Sequence, residues 1–331
     1  MPTISVVIPT YNRKASLKVT LDGLARQTHP VDDFEVVVVS DGSTDGTDVF
    51  LEEYARTAPY ALRPITQENG GPARARNRGI QEAHGRIIVF IDDDVEPISE
   101  FLAAHMAHHA QDEKVVVIGP MSPDPERRRA EPPWIAWEHA MLQKQYTNLV
   151  TGVWKSAGPQ HFYTGNASLL REHLTAVGGF DVNFKRQEDV ELAHRMRRER
   201  GVRFVFDPKA DGVHRPFRTF DSWLNVAASY GQLDVVRARA GDVDWNVVRK
   251  SYHGRSLPTR LIASVVMTAP PLGPMIRSLL RSGAAMAYRA GRAGPAIGAL
   301  SIIYNVRYLE SAQQELGAKP MRRLLSPHAQ P

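Results

Sequence analysis

Three carboxylates stand side by side in the stretch "FIDDDVEP", residues 90–97. Asp92, Asp93 and Asp94 follow a short apolar run that is typical of a buried strand. Adjacent like charges repel one another and are costly to remove from water, so the cluster needs a balancing charge. Mg²⁺ or Mn²⁺, which prefer oxygen ligands and substrate phosphates, would supply it. The alternative is a helix N-cap with an acidic first turn, for which one aspartate would be enough.

Two glycines open a predicted helix in "NGGPARARNRG", residues 69–79, which carries Arg74, Arg76 and Arg78. Exposed backbone N–H groups at a helix start, with arginines nearby, suit a diphosphate. A solvated basic face would account for two of these arginines. We predict that Arg76 and Asn77 face inward.

A pair of acids, Glu188 and Asp189, precedes a helical pattern in "GGFDVNFKRQEDVELAHRM". Helix N-capping would explain such a pair in isolation, but the Gly-Gly-Phe-Asp turn just upstream is unusual in an ordinary loop. Further along, "DPKADGVH" ends at His214 after a predicted strand. His214 is a candidate metal ligand, and a packing or surface role is its alternative.

The elements that must position these residues alternate between strand and helix over the first hundred residues. Continuous apolar runs such as "ISVVIPT", "FEVVVVS" and "RIIVFI" are typical of strands covered on both faces, and the segments between them have helical spacing. The alternation predicts an open α/β sheet, in which ligands bind outside the carboxyl ends of the strands. The polar clusters "PTYNR" and "SDGSTDGT" fall there. The second is a candidate for base or ribose contacts, although turns in general favour its composition.

Charge is distributed unevenly along the 331 residues, which contain no cysteine. Residues 241–331 carry 12 Lys/Arg against 4 Asp/Glu, and residues 1–240 carry 29 against 32. The absence of cysteine excludes disulfides, thiolate metal sites and cysteine nucleophiles. The first residues lack the pattern of a secretory signal, which predicts a cytoplasmic location.

Helical patterns dominate from Phe217 onward. Prolines interrupt the apolar stretch "RLIASVVMTAPPLGPMIRSLL", so a straight membrane-spanning helix is not expected. An amphipathic helix in "MIRSLLRSGAAMAYRAGR" and the basic charge predict peripheral contact of residues 255–310 with the inner face of a membrane. A solvated helical face is the alternative. Nucleic-acid binding is not predicted, because aromatic residues are few and no recognition motif occurs.

Four motifs in one order, "VVIPTYNR", "VVVVSDGSTDGT", "FIDDDVEP" and "GGFDVNFKRQEDVELAHRM", resemble the family 2 inverting glycosyltransferases of the GT-A fold. The resemblance covers roughly residues 3–215. It implies an α/β nucleotide-diphospho-sugar transferase fold with a Rossmann-like mixed sheet. The implied transferase domain spans residues 1–220, with a nucleotide-binding half at 1–97 and an acceptor half at 98–220. Residues 221–331 would form a helical C-terminal extension.

The resemblance also implies a role for each matching residue. Asp189 would be the catalytic base, with Glu188 beside it contacting the acceptor or holding the loop. Asp94 would bind the metal, Mn²⁺ or Mg²⁺, and His214 matches a metal or diphosphate ligand of some relatives. The predicted donor-nucleotide site consists of Pro9, Thr10, Tyr11, Arg13, Asp41, Ser43, Arg76, Asp92 and Asp93.

The implied reaction is metal-dependent, inverting transfer of a sugar from a nucleotide sugar, most commonly a UDP-sugar, to an acceptor hydroxyl. The acceptor would be a glycan, a lipid-linked sugar or a small molecule. Residues 120–160, rich in Pro, Arg and Trp, fit no family pattern and are predicted to shape the acceptor site. Two alternatives stay open. One is a nucleotidyltransferase of similar fold, and the other is a nucleotide-sugar-binding protein with a vestigial site.

Overall fold

The computed structural model describes residues 2–127, 130–184, 186–241 and 243–326. Contacts divide the chain into two compact units. The first unit comprises Met1–Arg128 and Met141–Phe217, and the second comprises Arg129–Ala140 and Arg218–Pro331. As a statement about independently folding domains, the division after residue 220 stays a prediction.

The strands all belong to the first unit. They are β1 (Ile4–Thr10), β2 (Phe34–Asp41), β3 (Ala61–Gln67), β4 (Ile87–Ile91), β5 (Val95–Pro97), β6 (Val115–Ile118), β7 (Met121–Pro123), β8 (Asn166–Leu170), β9 (Arg203–Phe206) and β10 (Gly212–His214). Seven of them form a sheet in the order β3-β2-β1-β4-β8-β6-β9. β8 runs antiparallel to β4 and β6, and the other neighbouring pairs are parallel. The sheet is therefore mixed, as predicted.

α-Helices alternate with these strands along the chain up to residue 200. They are α1 (Lys14–Leu24), α2 (Thr47–Ala55), α3 (Pro72–Glu82), α4 (Phe101–His109), α5 (Pro133–Val150), α6 (Arg171–Ala176) and α7 (Glu188–Arg200). The division between the two units falls inside α5, after Ala140. Much of the 120–160 segment is thus an 18-residue helix that the sequence analysis did not predict. Residues 128 and 129 of the 120–160 segment lie outside the described part of the chain.

Alternation along the central strands explains why their apolar runs are continuous. In β2, Val36 and Val38 pack into one apolar cluster with Leu17 and Leu21 of α1. Val37, between them, faces the other side of the sheet. Successive side chains of a strand point to opposite faces, so coverage of both faces explains why the four valines from Val36 to Val39 follow one another without a polar residue between them.

A second, three-stranded sheet in the order β5-β10-β7 adjoins the end of β4 in sequence. β10 pairs antiparallel with β5, and His214 stands opposite Val95. Because β5 begins directly after Asp94, this pairing brings His214 to the end of the triple aspartate.

The second unit is helical in its described residues beyond residue 217. Its helices there are α8 (Phe220–Ala240), α9 (Asn246–His253), α10 (Leu257–Thr268), α11 (Leu272–Arg289), α12 (Ala293–Leu316) and α13 (Ala318–Leu324). α8 and α12 lie so close that a Cβ at Gly231 would come within 2.1 Å of the Tyr308 carbonyl oxygen. Trp137 of α5 packs against Trp223 and Tyr304 in this unit. Over the described residues, the structure contains no helix with both the length and the apolar character to cross a bilayer.

Candidate active site

The triple aspartate lies at the carboxyl end of β4, beside the end of β1. The two strands are parallel neighbours, with Val7 opposite Phe90. The hydroxyl of Thr10, the last residue of β1, donates a hydrogen bond of 2.7 Å to Asp93 Oδ2. These two polar groups are 83 positions apart in the chain, and they meet because both lie at the carboxyl ends of neighbouring buried strands.

Arg13 supplies the positive charge beside two of the three aspartates. Its Nη1 lies 2.6 Å from Asp94 Oδ2 and 3.2 Å from Asp93 Oδ1. Burial raises the pKa of Asp93 to about 7; Arg13 opposes this rise, and the neighbouring carboxylates add to it. A guanidinium thus occupies one side of the predicted cation site.

Asp94 and His214 converge on the other side of that site. His214 Nε2 lies 3.6 Å from Asp94 Oδ1, and the backbone N–H of Arg215 donates to the Asp94 carbonyl oxygen at 2.8 Å. Among the described residues, no group of three or more acidic, histidine or cysteine side chains is arranged to hold a metal. One carboxylate and one imidazole nevertheless fit a Mg²⁺ or Mn²⁺ ion that takes its other ligands from substrate phosphates and water.

Two loops at the carboxyl ends of β1 and β2 are tied together. The N–H of Asn12 donates to Ser43 Oγ at 3.0 Å, and Asn12 Oδ1 accepts from the Thr44 N–H at 2.7 Å. Asn12 has a φ of 53°, a left-handed conformation that asparagine tolerates better than most residues. Tyr11 beside it is half exposed, and Pro9 lies within β1 opposite Val39. Three predicted nucleotide-site residues, Pro9, Tyr11 and Ser43, thus lie at one edge of the sheet.

Asp41 is already engaged by the protein. Its Oδ1 accepts hydrogen bonds from the Gln67 side chain at 2.7 Å and the Gly70 N–H at 2.9 Å, and its Oδ2 accepts from the Gly71 N–H at 2.8 Å. In this structure Asp41 therefore holds the loop that opens α3. Its predicted contact with a nucleotide stays a prediction.

Arg76 links the triple aspartate to the acid pair. It is buried, and it donates to Asp92 Oδ1 at 3.0 Å and to Glu188 Oε1 at 3.1 Å. Its guanidinium also lies over the Phe180 ring, 5.9 Å from the centroid. Arg76 faces inward as predicted, and its partners here are two carboxylates.

Asn77 fixes the turn that leads to the acid pair. Its Nδ2 donates to the Phe180 carbonyl oxygen, and its Oδ1 accepts from the Phe180 N–H, both at 2.8 Å. A Cβ at Gly179 would lie 2.5 Å from Asn77 Oδ1, and Gly179 has a φ of 71°. Only glycine meets both requirements without strain. The Gly-Gly-Phe-Asp turn is thus fastened to α3.

Asp189 lies in the first turn of α7, next to Glu188, the first residue of that helix. Burial and the negative charge of Glu188 raise the pKa of Asp189 to about 7, while the Arg76 cation lowers it. A carboxyl group with such a pKa can accept a proton near neutral pH.

A cleft of about 270 Å³ opens beside Asp94 in the first unit. Ser16 and Thr20 of α1 line it together with Arg215 and the exposed ring of Phe217. Arg215 forms ion pairs with Glu96 and, at 2.8 Å, with Asp124.

Sequence reasoning did not identify Asn12, Arg215 or Asp124. The hydrogen bonds of Asn12 to the loop after β2 have a signal in the sequence, which is an asparagine in a polar turn after a buried strand. The pair of Arg215 and Asp124 joins residues 91 positions apart, and only the folded chain shows it.

Comparison with known proteins gives a family match. Residues 5–174, just over half of the chain, match the model of a family described as Glycosyl transferase family 2. A curated relative, validoxylamine A glucosyltransferase of Streptomyces hygroscopicus subsp. jinggangensis, is 33% identical over 242 residues. The match covers 65% of this chain and 56% of the relative. The chain spans about half the length of such relatives.

Solved structures share the fold. The mannosyltransferase PcManGT from Pyrobaculum calidifontis, solved with GDP-Man and Mn²⁺, gives a TM-score of 0.59 at 24% identity, covering 96% of this chain and 88% of that chain. S. aureus TarS 1–349 with UDP-GlcNAc gives a TM-score of 0.52 at 19% identity, covering 95% of this chain and 92% of that chain. At these identities the likeness concerns the fold alone.

Proposed function

Because the chain belongs to glycosyltransferase family 2 and has the GT-A fold, we propose that it transfers a sugar from a nucleotide-sugar donor to an acceptor hydroxyl. The observation that carries the proposal is the pair of contacts made by Arg76, which joins Asp92 of the triple aspartate to Glu188 of the acid pair. Asp189, the proposed base, directly follows Glu188, which supports assigning it to the same site as the carboxylates proposed to face the donor.

The proposed reaction is a single displacement. Asp189 takes the proton of the acceptor hydroxyl, and the oxygen attacks the anomeric carbon of the donor sugar. The bond from that carbon to the diphosphate oxygen breaks, and its electron pair leaves with the diphosphate. Attack opposite to the leaving group inverts the anomeric configuration. Glu188 holds the start of α7 through Arg76 and orients Asp189.

Asp94 and His214 are the residues that would hold Mn²⁺ or Mg²⁺. When bound, the cation neutralises charge on the departing diphosphate. Support comes from the convergence of the two side chains to 3.6 Å and from the Mn²⁺ present with PcManGT. Thr10, Tyr11, Arg13 and Ser43 would contact the nucleotide, with Pro9, Asp41, Asp92 and Asp93 completing its pocket.

The proposed donor is a UDP-sugar, and the proposed acceptor is a glycan, a lipid-linked sugar or a small molecule. The two solved neighbours were bound to GDP-Man and UDP-GlcNAc, which supports a nucleotide sugar in general. The name of the curated relative, a glucosyltransferase for validoxylamine A, supports a small-molecule acceptor as one of the three classes.

The test is release of nucleotide diphosphate by the full chain from a panel of UDP-, GDP- and dTDP-sugars, with and without Mn²⁺. We expect turnover of one nucleotide class that requires the cation and falls at least a hundredfold in Asp94→Asn. Asp32→Asn, an exposed acid in the 3-10 turn before β2, is the matched control and should behave as wild type.

Other outcomes would overturn the proposal. Binding of a nucleotide sugar without turnover of any panel member would favour a binding protein with a vestigial site. Release of pyrophosphate from a nucleoside triphosphate and a sugar phosphate would favour a nucleotidyltransferase. Equal activity in Asp94→Asn and wild type would remove Asp94 from the metal site.

A further inference from the structure

Two consecutive helices of the second unit leave large apolar side chains in water. On α10, Leu257, Leu261 and Val265 recur every fourth residue and are 59%, 59% and 45% exposed. That spacing places them on one face of the helix. The opposite side is buried through Ala263 and Val266. α10 thus presents an apolar stripe that nothing in the described chain covers.

α11 repeats the pattern. Its exposed apolar residues fall within an arc of about 60° at 3.6 residues per turn; they are Leu272, Met275, Leu279 and Met286. Ser278 and Ser282, both exposed, lie on one flank of this arc together with Arg289. The other side of α11 carries the buried Gly273 and Ala284. Both helices pack against α12 by these buried sides. We call the seven exposed apolar residues of α10 and α11 the apolar stripe.

The segment of chain that carries the stripe is basic. Residues 245–309 contain nine Lys or Arg and no Asp or Glu. Two of these arginines, Arg277 and Arg307, pair with Glu310. Lys250, Arg289 and Arg292 are exposed. An apolar face among cations is complementary to an anionic surface that offers an apolar interior.

This combination points to one occupant, the surface of an anionic lipid bilayer. A second copy of the chain would bring two strongly basic surfaces together, which like-charge repulsion disfavours. A nucleic acid would find cations, but among residues 243–326 no aromatic side chain is exposed for base stacking. We therefore propose that α10 and α11 lie on a membrane rich in anionic lipids, with the apolar stripe inserted at the level of the headgroups.

Vesicle sedimentation with the full chain tests this proposal independently of any transferase activity. The probes are vesicles of phosphatidylcholine alone and vesicles with about one third phosphatidylglycerol. We expect binding to the anionic vesicles only, weakening as NaCl is raised. Leu279→Glu combined with Met286→Glu should weaken binding at least tenfold, and so should Leu261→Glu.

The matched control is Val236→Glu on α8, where an exposed apolar residue of the same unit, 48% exposed, acquires the same charge off the stripe. It should bind as wild type, and circular dichroism should show equal folding of all variants. The proposal is overturned if wild type does not bind anionic vesicles or if Val236→Glu weakens binding as much as the stripe variants. A change in the oligomeric mass of the stripe variants with unchanged vesicle binding would assign the stripe to self-association instead.

Discussion

Arg76 Nη1 lies 3.1 Å from Glu188 Oε1, joining two motifs that are 112 positions apart in the chain. The other terminal nitrogen of the same guanidinium donates to Asp92. Since Arg76 is buried, its charge is weakly screened, and it acts on both the proposed donor side and the proposed base. Four predictions concern this site and two buried histidines of the first unit.

Replacing Arg76 by Met should shift the pH profile of turnover. The Arg76 cation lowers the pKa of Asp189, so its loss raises that pKa and moves the ascending limb to higher pH. We also expect kcat to fall by roughly a hundredfold, the scale of a lost positioning contact. Arg76→Lys should keep the limb near its wild-type position because the charge stays. pH profiles of kcat provide the measurement.

Arg78→Met is the control for Arg76, because Arg78 is an exposed residue of the same helix whose guanidinium pairs with Glu82. It should leave the profile unchanged. An unshifted limb in Arg76→Met would show that Arg76 acts only as a structural residue.

Asp189 makes activity and stability respond in opposite directions to pH. Turnover should rise as pH increases through about 7, where Asp189 becomes the deprotonated base. The fold raises the pKa of Asp189 above its unfolded value, so the folded state favours the protonated form, and ionisation costs stability as pH rises. Asp189→Asn should therefore abolish turnover and stabilise the protein at pH 8 by roughly 1–3 kcal/mol.

Urea denaturation of Asp189→Asn at pH 5 and pH 8 measures this stabilisation. Glu199→Gln, an exposed residue near the end of the same helix, is the control and should change neither quantity appreciably. Retention of more than a tenth of wild-type turnover by Asp189→Asn would contradict its role as base.

Two buried histidines should make the first unit sensitive to acid. His105 Nδ1 and His109 Nε2 both lie within hydrogen-bonding distance of Ser168 Oγ, at 2.8 and 2.7 Å. Burial lowers the pKa of His105 to about 4 and that of His109 to about 3. Both pKa values lie below the unfolded value of about 6.5, so the folded state disfavours protonation of these side chains. Their contribution to the free energy of unfolding is therefore present above pH 6.5 and is lost as pH falls toward 4.

His109→Gln should reduce the slope of stability against pH between 6.5 and 4, measured as urea midpoints. His253→Gln, an exposed histidine of α9, provides the comparison and should leave the slope intact. A wild-type midpoint that does not change over this range would refute the prediction.

Arg13 and a divalent cation should compete for Asp94. The guanidinium lies 2.6 Å from Asp94 Oδ2, where a cation would also be attracted. Arg13→Ala should therefore bind Mn²⁺ about tenfold more tightly than wild type in the absence of nucleotide, as titration calorimetry would show. A tenfold change corresponds to about 1.4 kcal/mol of binding free energy, which we attribute to removal of the competing Arg13 charge. Lys14→Ala, which removes the neighbouring charge, should bind Mn²⁺ as wild type does. Weaker Mn²⁺ binding by Arg13→Ala would instead make Arg13 a support of the site.

The parts of the fold that follow from the sequence are those that local pattern determines. The valine run of β2 is apolar at every position because both of its faces are covered, and α7 ends at Gly201, which has a φ of 65°. β3 was not predicted because it contains Pro64 and lies at the edge of the sheet. Its residues are only partly buried there, so they do not form a continuous apolar run. α5 was not predicted because its first residue, Pro133, continues a turn-rich segment, and its Trp137 packs against residues far along the chain.

The candidate site also has a part that the sequence predicts and a part that it does not. Motif order places Thr10 and Asp93 at neighbouring strand ends, and the structure brings them to 2.7 Å. The sequence also favours an inward Arg76, but nothing local indicates that its partners are Asp92 and Glu188. That choice depends on how the Gly-Gly-Phe-Asp turn is fastened by Asn77, a contact across 103 positions. Contacts of this kind are set by tertiary packing and have no signature in a short window of sequence.

The central claim is a single displacement by an acceptor hydroxyl that Asp189 deprotonates. It is tested most directly by the anomeric configuration of the product formed from an α-linked nucleotide sugar, followed by ¹H NMR during turnover of the full chain. Inversion predicts that the β-linked product appears first. An α-linked first product would contradict the claim, because retention requires a second displacement or attack on the face of the leaving group.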